Sequence, residues 1–241
     1  MKLALLPLLF LSLAAFAPLD EARLLIEAGK LDQAYALARE HSDAGDPSAH
    51  EALAWFLDEG KVVAKDRAAA ARLFRAAAQA GRMHSQWRLG VMLDTGDGVA
   101  ADPVEALRWL EKAAAQDYPP AMVSMAVMNA TGRGMPVDYG KARAWYEKGA
   151  RRGHPHGFYG MGVLLANGQG VERNMVESLA WMLVSANLGN REASASLEAY
   201  HLSREDVLRA GDRANAIARE YGQPELKFDV RAPDAAVPNG A

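Results

Sequence analysis

Three short stretches carry residue types at spacings that can do chemistry. Gly157-Phe158-Tyr159-Gly160-Met161-Gly162 has closely set glycines, of the kind that let backbone amides approach a phosphate. Asp94-Thr95-Gly96-Asp97-Gly98, with Asp102 further on, places carboxylates around a glycine turn, as a calcium loop does. His154-Pro155-His156 offers two imidazoles to a metal. Each lacks something its chemistry requires. A dinucleotide fingerprint follows a strand, and nothing before Gly157 reads as one. The aspartates around Gly96 and Gly98 do not have a calcium loop's ligand spacing. Zinc needs three or four ligands, and the sequence places no third beside the two histidines. The absence of cysteine excludes disulfides, thiolate zinc sites and a cysteine nucleophile. No G-x-S-x-G, H-E-x-x-H or P-loop occurs. The expectation is therefore no catalytic residue, no metal and no cofactor.

The glycines and aspartates belong to a pattern of larger scale. The chain repeats with a period of 36 residues, without a gap, over 46–81, 82–117, 118–153 and 154–189. Gly60, Gly96, Gly132 and Gly168 form one column. Gly45, Gly81, Gly153 and Gly189 form another, in which Asp117 substitutes once. Asp66, Asp102, Asp138 and Asn174 form a third, and Leu73, Trp109, Trp145 and Trp181 a fourth. The Asp/Asn column has the chemistry of a helix N-cap, a side-chain oxygen for an orphan backbone N–H. Pro103, directly after Asp102, suits the first helical position. The Leu/Trp column lies two turns into that helix. Ala70, Ala106, Ala142 and Ser178 share its face and allow close approach. Pro47, Pro119 and Pro155 open the other helix of the unit, whose core stripe is Leu53, Leu89, Met125 and Met161. Ala54, Gly90, Ala126 and Gly162 sit beside that stripe and must be small. Each unit thus predicts a first helix, a glycine loop, a second helix and a glycine stop. Such a hairpin cannot bury its apolar face alone, so the units must stack. The fold class is all-α, an α-solenoid of antiparallel helix hairpins.

At these residues the chain resembles the Sel-one-like repeat family, a relative of the tetratricopeptide repeat. Repeat two carries Ser85, Leu89, Gly90, Gly96, Gly98, Val99, Asp102, Ala106, Trp109, Lys112, Ala113 and Ala114 at the family positions. Repeat three adds Lys141, Ala142, Trp145 and Lys148. The family's tyrosine position holds Leu57, Leu93, Asn129 and Leu165 instead, and Val62 replaces a loop glycine. The resemblance implies a non-enzymatic adaptor that binds a protein or peptide on a concave surface lined by the first helices. The first-helix positions left over by the core pattern are Glu51, Trp55, His84, Trp87, Val91, Val127, His156, Tyr159 and Val163. Trp55, Trp87 and Tyr159 either line such a groove or fill space between neighbouring first helices.

The ends differ from the array. Residues 1–17, with Lys2 before an apolar run and Ala15 and Ala17 after it, read as a signal peptide, with cleavage after Ala17 or Ala14. The run is short for a membrane span, so the membrane is met only through this signal, and the expected location is the periplasm. Residues 18–45 read as a capping hairpin and 190–226 as C-terminal capping helices, with Ser203 and Asp206 as a capping-box-like start. Residues 227–241 have no periodicity and read as disordered. A net charge of −3 gives no basic field for nucleic acid. Two other readings stay open: an enzyme or binding protein of cell-wall material, of the β-lactam-binding kind known among cysteine-rich relatives, and a regulator anchored by an uncleaved N-terminus.

Overall fold

A segment of thirteen residues, closed by a cap at one end and a left-handed turn at the other, is the unit from which the chain is built. The computed structural model describes residues 18–226, so the signal and tail readings at 1–17 and 227–241 lie outside the described residues. The elements are α1 (Pro18–Glu27), α2 (Leu31–Asp43), α3 (Pro47–Glu59), α4 (Arg67–Gln79), α5 (Met83–Thr95) and α6 (Pro103–Ala115). They continue with α7 (Pro119–Thr131), α8 (Tyr139–Arg151), α9 (Pro155–Asn167), α10 (Met175–Asn187), α11 (Arg191–Ser196), a 3-10 turn (Leu197–Ala199) and α12 (Arg204–Glu220). No strand occurs among the described residues. Every helix from α2 to α10 has 13 residues, so every layer has the same length.

The caps explain where the second helices begin. The amide of Ala69 donates to Asp66 Oδ1 at 2.8 Å, and Glu105 N to Asp102 at 2.8 Å. Lys141 N and Glu177 N do the same to Asp138 and Asn174, both at 2.9 Å. Each bond satisfies one of the orphan donors of the first turn. The first helices end where Gly60, Gly96, Gly132 and Gly168 turn left-handed, at φ between 68° and 75°. Asp117 takes the same conformation at the end of α6, with φ 66°, and its carboxylate accepts from Arg152 Nε at 2.6 Å. Val62 also adopts φ 68° in its loop, a strained position for a β-branched residue.

The helices form two compact units that divide between Ala80 and Gly81. In the first, α1 to α4 pack in chain order around Ala22, Ala34, Ala38, Ala52 and Phe56. In the second, α5 to α10 pack in chain order, and the first helices α5, α7 and α9 also touch one another directly. The small columns let this happen: Ala106, Ala142 and Ser178 are fully buried, and Ser178 Oγ donates to the carbonyl of Gly162 at 2.7 Å. Side-chain bonds tie successive repeats, among them Trp87 to Ser124 and Gln169 to Tyr139.

The C-terminal cap departs from the repeat. α11 is a truncated first helix, held by Asn190, whose Oδ1 accepts from Ala193 N at 2.7 Å. α12 then packs along α10, where Arg213 Nε donates to both carboxylate oxygens of Glu177 at 3.0 Å. Ser203 accepts from Asp206 N at 3.1 Å and donates to Asp206 Oδ2 at 2.8 Å, so the side chain of Asp206 is engaged by the cap hydroxyl itself.

Candidate functional site

The first-helix positions of the second unit gather around Trp87 on α5. The column that supplies N-caps elsewhere places Tyr118 at the start of α7, and Ser124, 37 residues after Trp87, lies beside it on that helix. The Trp87 indole N–H donates to Ser124 Oγ at 3.1 Å, and Ser124 Oγ donates to the Pro120 carbonyl at 3.0 Å. His84, Trp87 and Tyr118 form a triangle of rings, with centroids 5.7 Å (His84–Trp87), 5.9 Å (Trp87–Tyr118) and 6.4 Å (His84–Tyr118) apart. All three are half-buried, as is Val91 one turn along α5. Trp87 therefore both bridges two first helices and keeps part of its ring toward solvent.

Further along, Val127 on α7 and Tyr159 and Val163 on α9 are half-buried against the core of the second unit. His156 at the start of α9 is exposed, its Nε2 3.7 Å from the Glu192 carboxylate. Its ring lies 5.5 Å from His154. Burial, and then the neighbouring His156, hold the His154 pKa below its ordinary value. Among the described residues no group of three or more His, Cys, Asp or Glu is placed to hold a metal.

In the first unit, Trp55 on α3 is half-buried with its ring edge-on to Phe56 at 5.0 Å. Glu51, one of the groove candidates, is enclosed instead: only 6% of it is accessible, because α3 is buried on most of its circumference, including Ser48, Ala52 and Asp58. Tyr118 is the residue the sequence pattern passed over. Its signal was an aromatic in a column that otherwise reads Asp46, Arg82, His154 and Asn190.

The Leu/Trp column proves less uniform than a core stripe. Trp109 and Trp181 are buried, and their indoles donate to Glu105 at 3.0 Å and Glu177 at 3.1 Å. Trp145 is half-buried and has Lys141 where the others have that glutamate. Lys148 lies over its ring at 4.0 Å.

The Sel1 repeat model matches residues 34–81, 84–118, 119–154 and 159–190. Among solved structures, the chain is similar to a Sel1 repeat protein of Oxalobacter formigenes, 29% identical over 84% of each chain with a TM-score of 0.68. It is also similar to a protective antigen of uropathogenic Escherichia coli strains displaying an SLR fold. That match is 25% identical, covers 86% of this chain and 53% of the antigen, and has a TM-score of 0.63. A Sel1 repeat protein of Klebsiella pneumoniae, 22% identical over 76% of this chain and 90% of its own with a TM-score of 0.54, shares the fold. No curated protein matches the chain. With four matched repeats spanning most of its described length, built from capped helix pairs at a constant period, the chain belongs to the Sel1 repeat family.

Proposed function

We propose that the chain is a non-enzymatic scaffold of the bacterial cell envelope that docks a partner protein or peptide on the first-helix face. Sel1 repeat proteins generally mediate protein–protein interaction, and the family is typically non-catalytic. The observation that carries the proposal here is the ring triangle of His84, Trp87 and Tyr118, with Val127 further along α7 and Tyr159 and Val163 on α9. Large amphipathic rings on a rigid platform are what binding surfaces use as anchors. A partner side chain fully buried there would contribute roughly 1.5–3 kcal/mol. The measurement is crosslinking in the native envelope with Trp87→Ala combined with Tyr159→Ala. The double variant should keep its helical circular dichroism and a cooperative melt, and lose the crosslinks of the parent. A folded variant that keeps every crosslink places the partner elsewhere.

Export rests on Lys2, the apolar run after it and the small residues ending at Ala17. A fusion of alkaline phosphatase after residue 40 should be active in intact cells of a Gram-negative host. A stable fusion with no activity would overturn export and leave the scaffold reading to a cytosolic protein.

A further inference from the structure

The first loop of the array departs from the others at one position. Two residues after the glycine that ends each first helix, the repeats carry Gly98, Gly134 and Gly170, all left-handed, and Val62. In the second unit close packing excludes a side chain there. A Cβ on Gly134 would stand 2.7 Å from the carbonyl oxygen of Pro103 at the start of α6. One on Gly170 would stand 2.6 Å from Tyr139 Cβ at the start of α8. Val62 keeps the same backbone conformation, φ 68°, with an isopropyl group in place. Packing does not account for it: the side chain is 45% exposed, and the core of the first unit closes without it. Glycine adopts this turn without strain, so stability alone favours glycine at this position.

The charge around Val62 is sorted. Lys61 and Lys65 flank it, both exposed, and the loop folds back so that Lys65 lies beside Gly60. Among the described residues neither ammonium group enters a hydrogen bond or an ion pair, and neither does Arg72 on the exposed face of α4. Three carboxylates stand nearby. Asp66 accepts from the Ala69 amide as the cap of α4, buried Asp58 lies 3.9 Å from Arg67, and exposed Glu59 ends α3. Residues 59–79 carry five cations against two acids, whereas 18–58 carry three cations against nine acids. The positive charge of the first unit is therefore gathered in this loop and in α4, with the strained valine at its tip.

We infer that loop 61–65 is a contact for an anionic lipid surface. Val62 enters the boundary between headgroups and acyl chains, the ammonium groups of Lys61 and Lys65 meet lipid phosphates, and Arg72 adds to the attraction. An apolar knob beside unpartnered lysines suits that boundary, because the knob leaves water while the long lysine stems keep their charges at the headgroups. An acidic protein would need the charges alone and give the strained valine no use. The contact lies apart from residues 1–17 and from the first-helix face proposed above, so it stands or falls independently of both.

The chain has no cysteine, so a polarity-sensitive fluorophore can be placed on the full chain through Ala64→Cys, an exposed site in the loop, with exposed Ala144→Cys on α8 as the control. Vesicles of phosphatidylglycerol and phosphatidylcholine should brighten and blue-shift the label at 64 and leave the label at 144 unchanged. Vesicles of phosphatidylcholine alone should do neither. Lys61→Glu with Lys65→Glu should weaken the response at 64 by about tenfold at low salt, a difference that shrinks as salt is added. Arg108→Glu with Arg143→Glu, an equal change of net charge at exposed sites on α6 and α8, should leave it unchanged. Val62→Gly should weaken it by about threefold while the chain melts at the parent's temperature or above. No response at 64 to the anionic vesicles overturns the inference, as does an equal response to phosphatidylcholine or an equal loss with the two arginine changes. A lower melting temperature for Val62→Gly overturns it, because packing then holds the valine. Loss with the two lysine changes but not with Val62→Gly overturns the lipid in favour of an acidic protein.

Discussion

Gly157→Ala should destabilise the array by about 3 kcal/mol, although the same exchange in an isolated helix stabilises by up to about 1 kcal/mol. Gly157 lies in the first turn of α9, against the last turn of α8. A Cβ there would stand 2.4 Å from the backbone nitrogen of Ala150 and 2.9 Å from both the Gly149 carbon and the Tyr146 carbonyl oxygen. All three are main-chain atoms of a helix, so no side chain can swing away. The helices must separate, and separation undoes the contacts of Phe158, which is fully buried one residue on. Gly160 repeats the approach one turn later, where its Cβ would fall within 2.2 Å of the Tyr146 ring. That ring is itself buried, and burial pushes the Tyr146 pKa up to about 12. Urea unfolding followed by circular dichroism measures the change. A midpoint equal to or above the parent's would show that α8 and α9 are not in this register.

Gly90→Leu should cost about as much, through a different kind of contact. The Cβ alone would lie 2.8 Å from Leu110 Cγ, 2.9 Å from its Cδ2 and 3.2 Å from the Ala106 carbonyl. Leu110 is 1% exposed, so its own rotamers are already limited by α6 and α7 neighbours. Adding an isobutyl group asks α5 and α6 to part where the facing small residues Gly90 and Ala106 bring them together. The expected loss is about 3 kcal/mol or more, at the upper end of overpacking effects. Thermal melts of the two variants should differ in shape as well as midpoint, because neighbour-coupled arrays lose cooperativity when an internal interface is weakened. An unchanged melt for Gly90→Leu would refute the pairing of α5 with α6 on this face.

Why Gly90 was legible in the sequence, while Gly157 and other positions were not, follows from the range of the interactions involved. The caps at Asp66, Asp102, Asp138 and Asn174 act within three residues, so the residue type alone predicts them. The left-handed glycine column, and Asp117 in its place, is equally local. Small residues facing small residues require only the period. The environment of a column, by contrast, depends on what lies on its far side. Trp109, Trp145 and Trp181 occupy one column and have three surroundings, because a ring from beyond α12 reaches only the last of them. Glu51 joined the groove candidates because it lies outside the first helices' core stripe. α3 is enclosed on that side as well. Tyr118 was hidden by its position in a capping column, whose aromatic member works through its ring and not as an acceptor. Val62 shows the opposite case: its loop adopts a left-handed turn that valine disfavours, so the surrounding hairpin imposes the conformation on it.

The constant helix length has a consequence for how such a protein can change over generations. With 13 residues in each helix from α5 to α10 and hydrogen bonds that join residues about one period apart, the repeats of the second unit meet one another through corresponding surfaces. Unequal crossing-over between two copies in the gene would add or delete 36 codons in frame. The new protein would contain only junctions that the old one already folds with. Its reach would grow or shrink by one whole step, while the specialised ends, α1 with α2 and α11 with α12, would be inherited untouched. The extent of the stacked helical surface in this lineage is thus set by a count of copies, and point mutation is left free to adjust the individual faces.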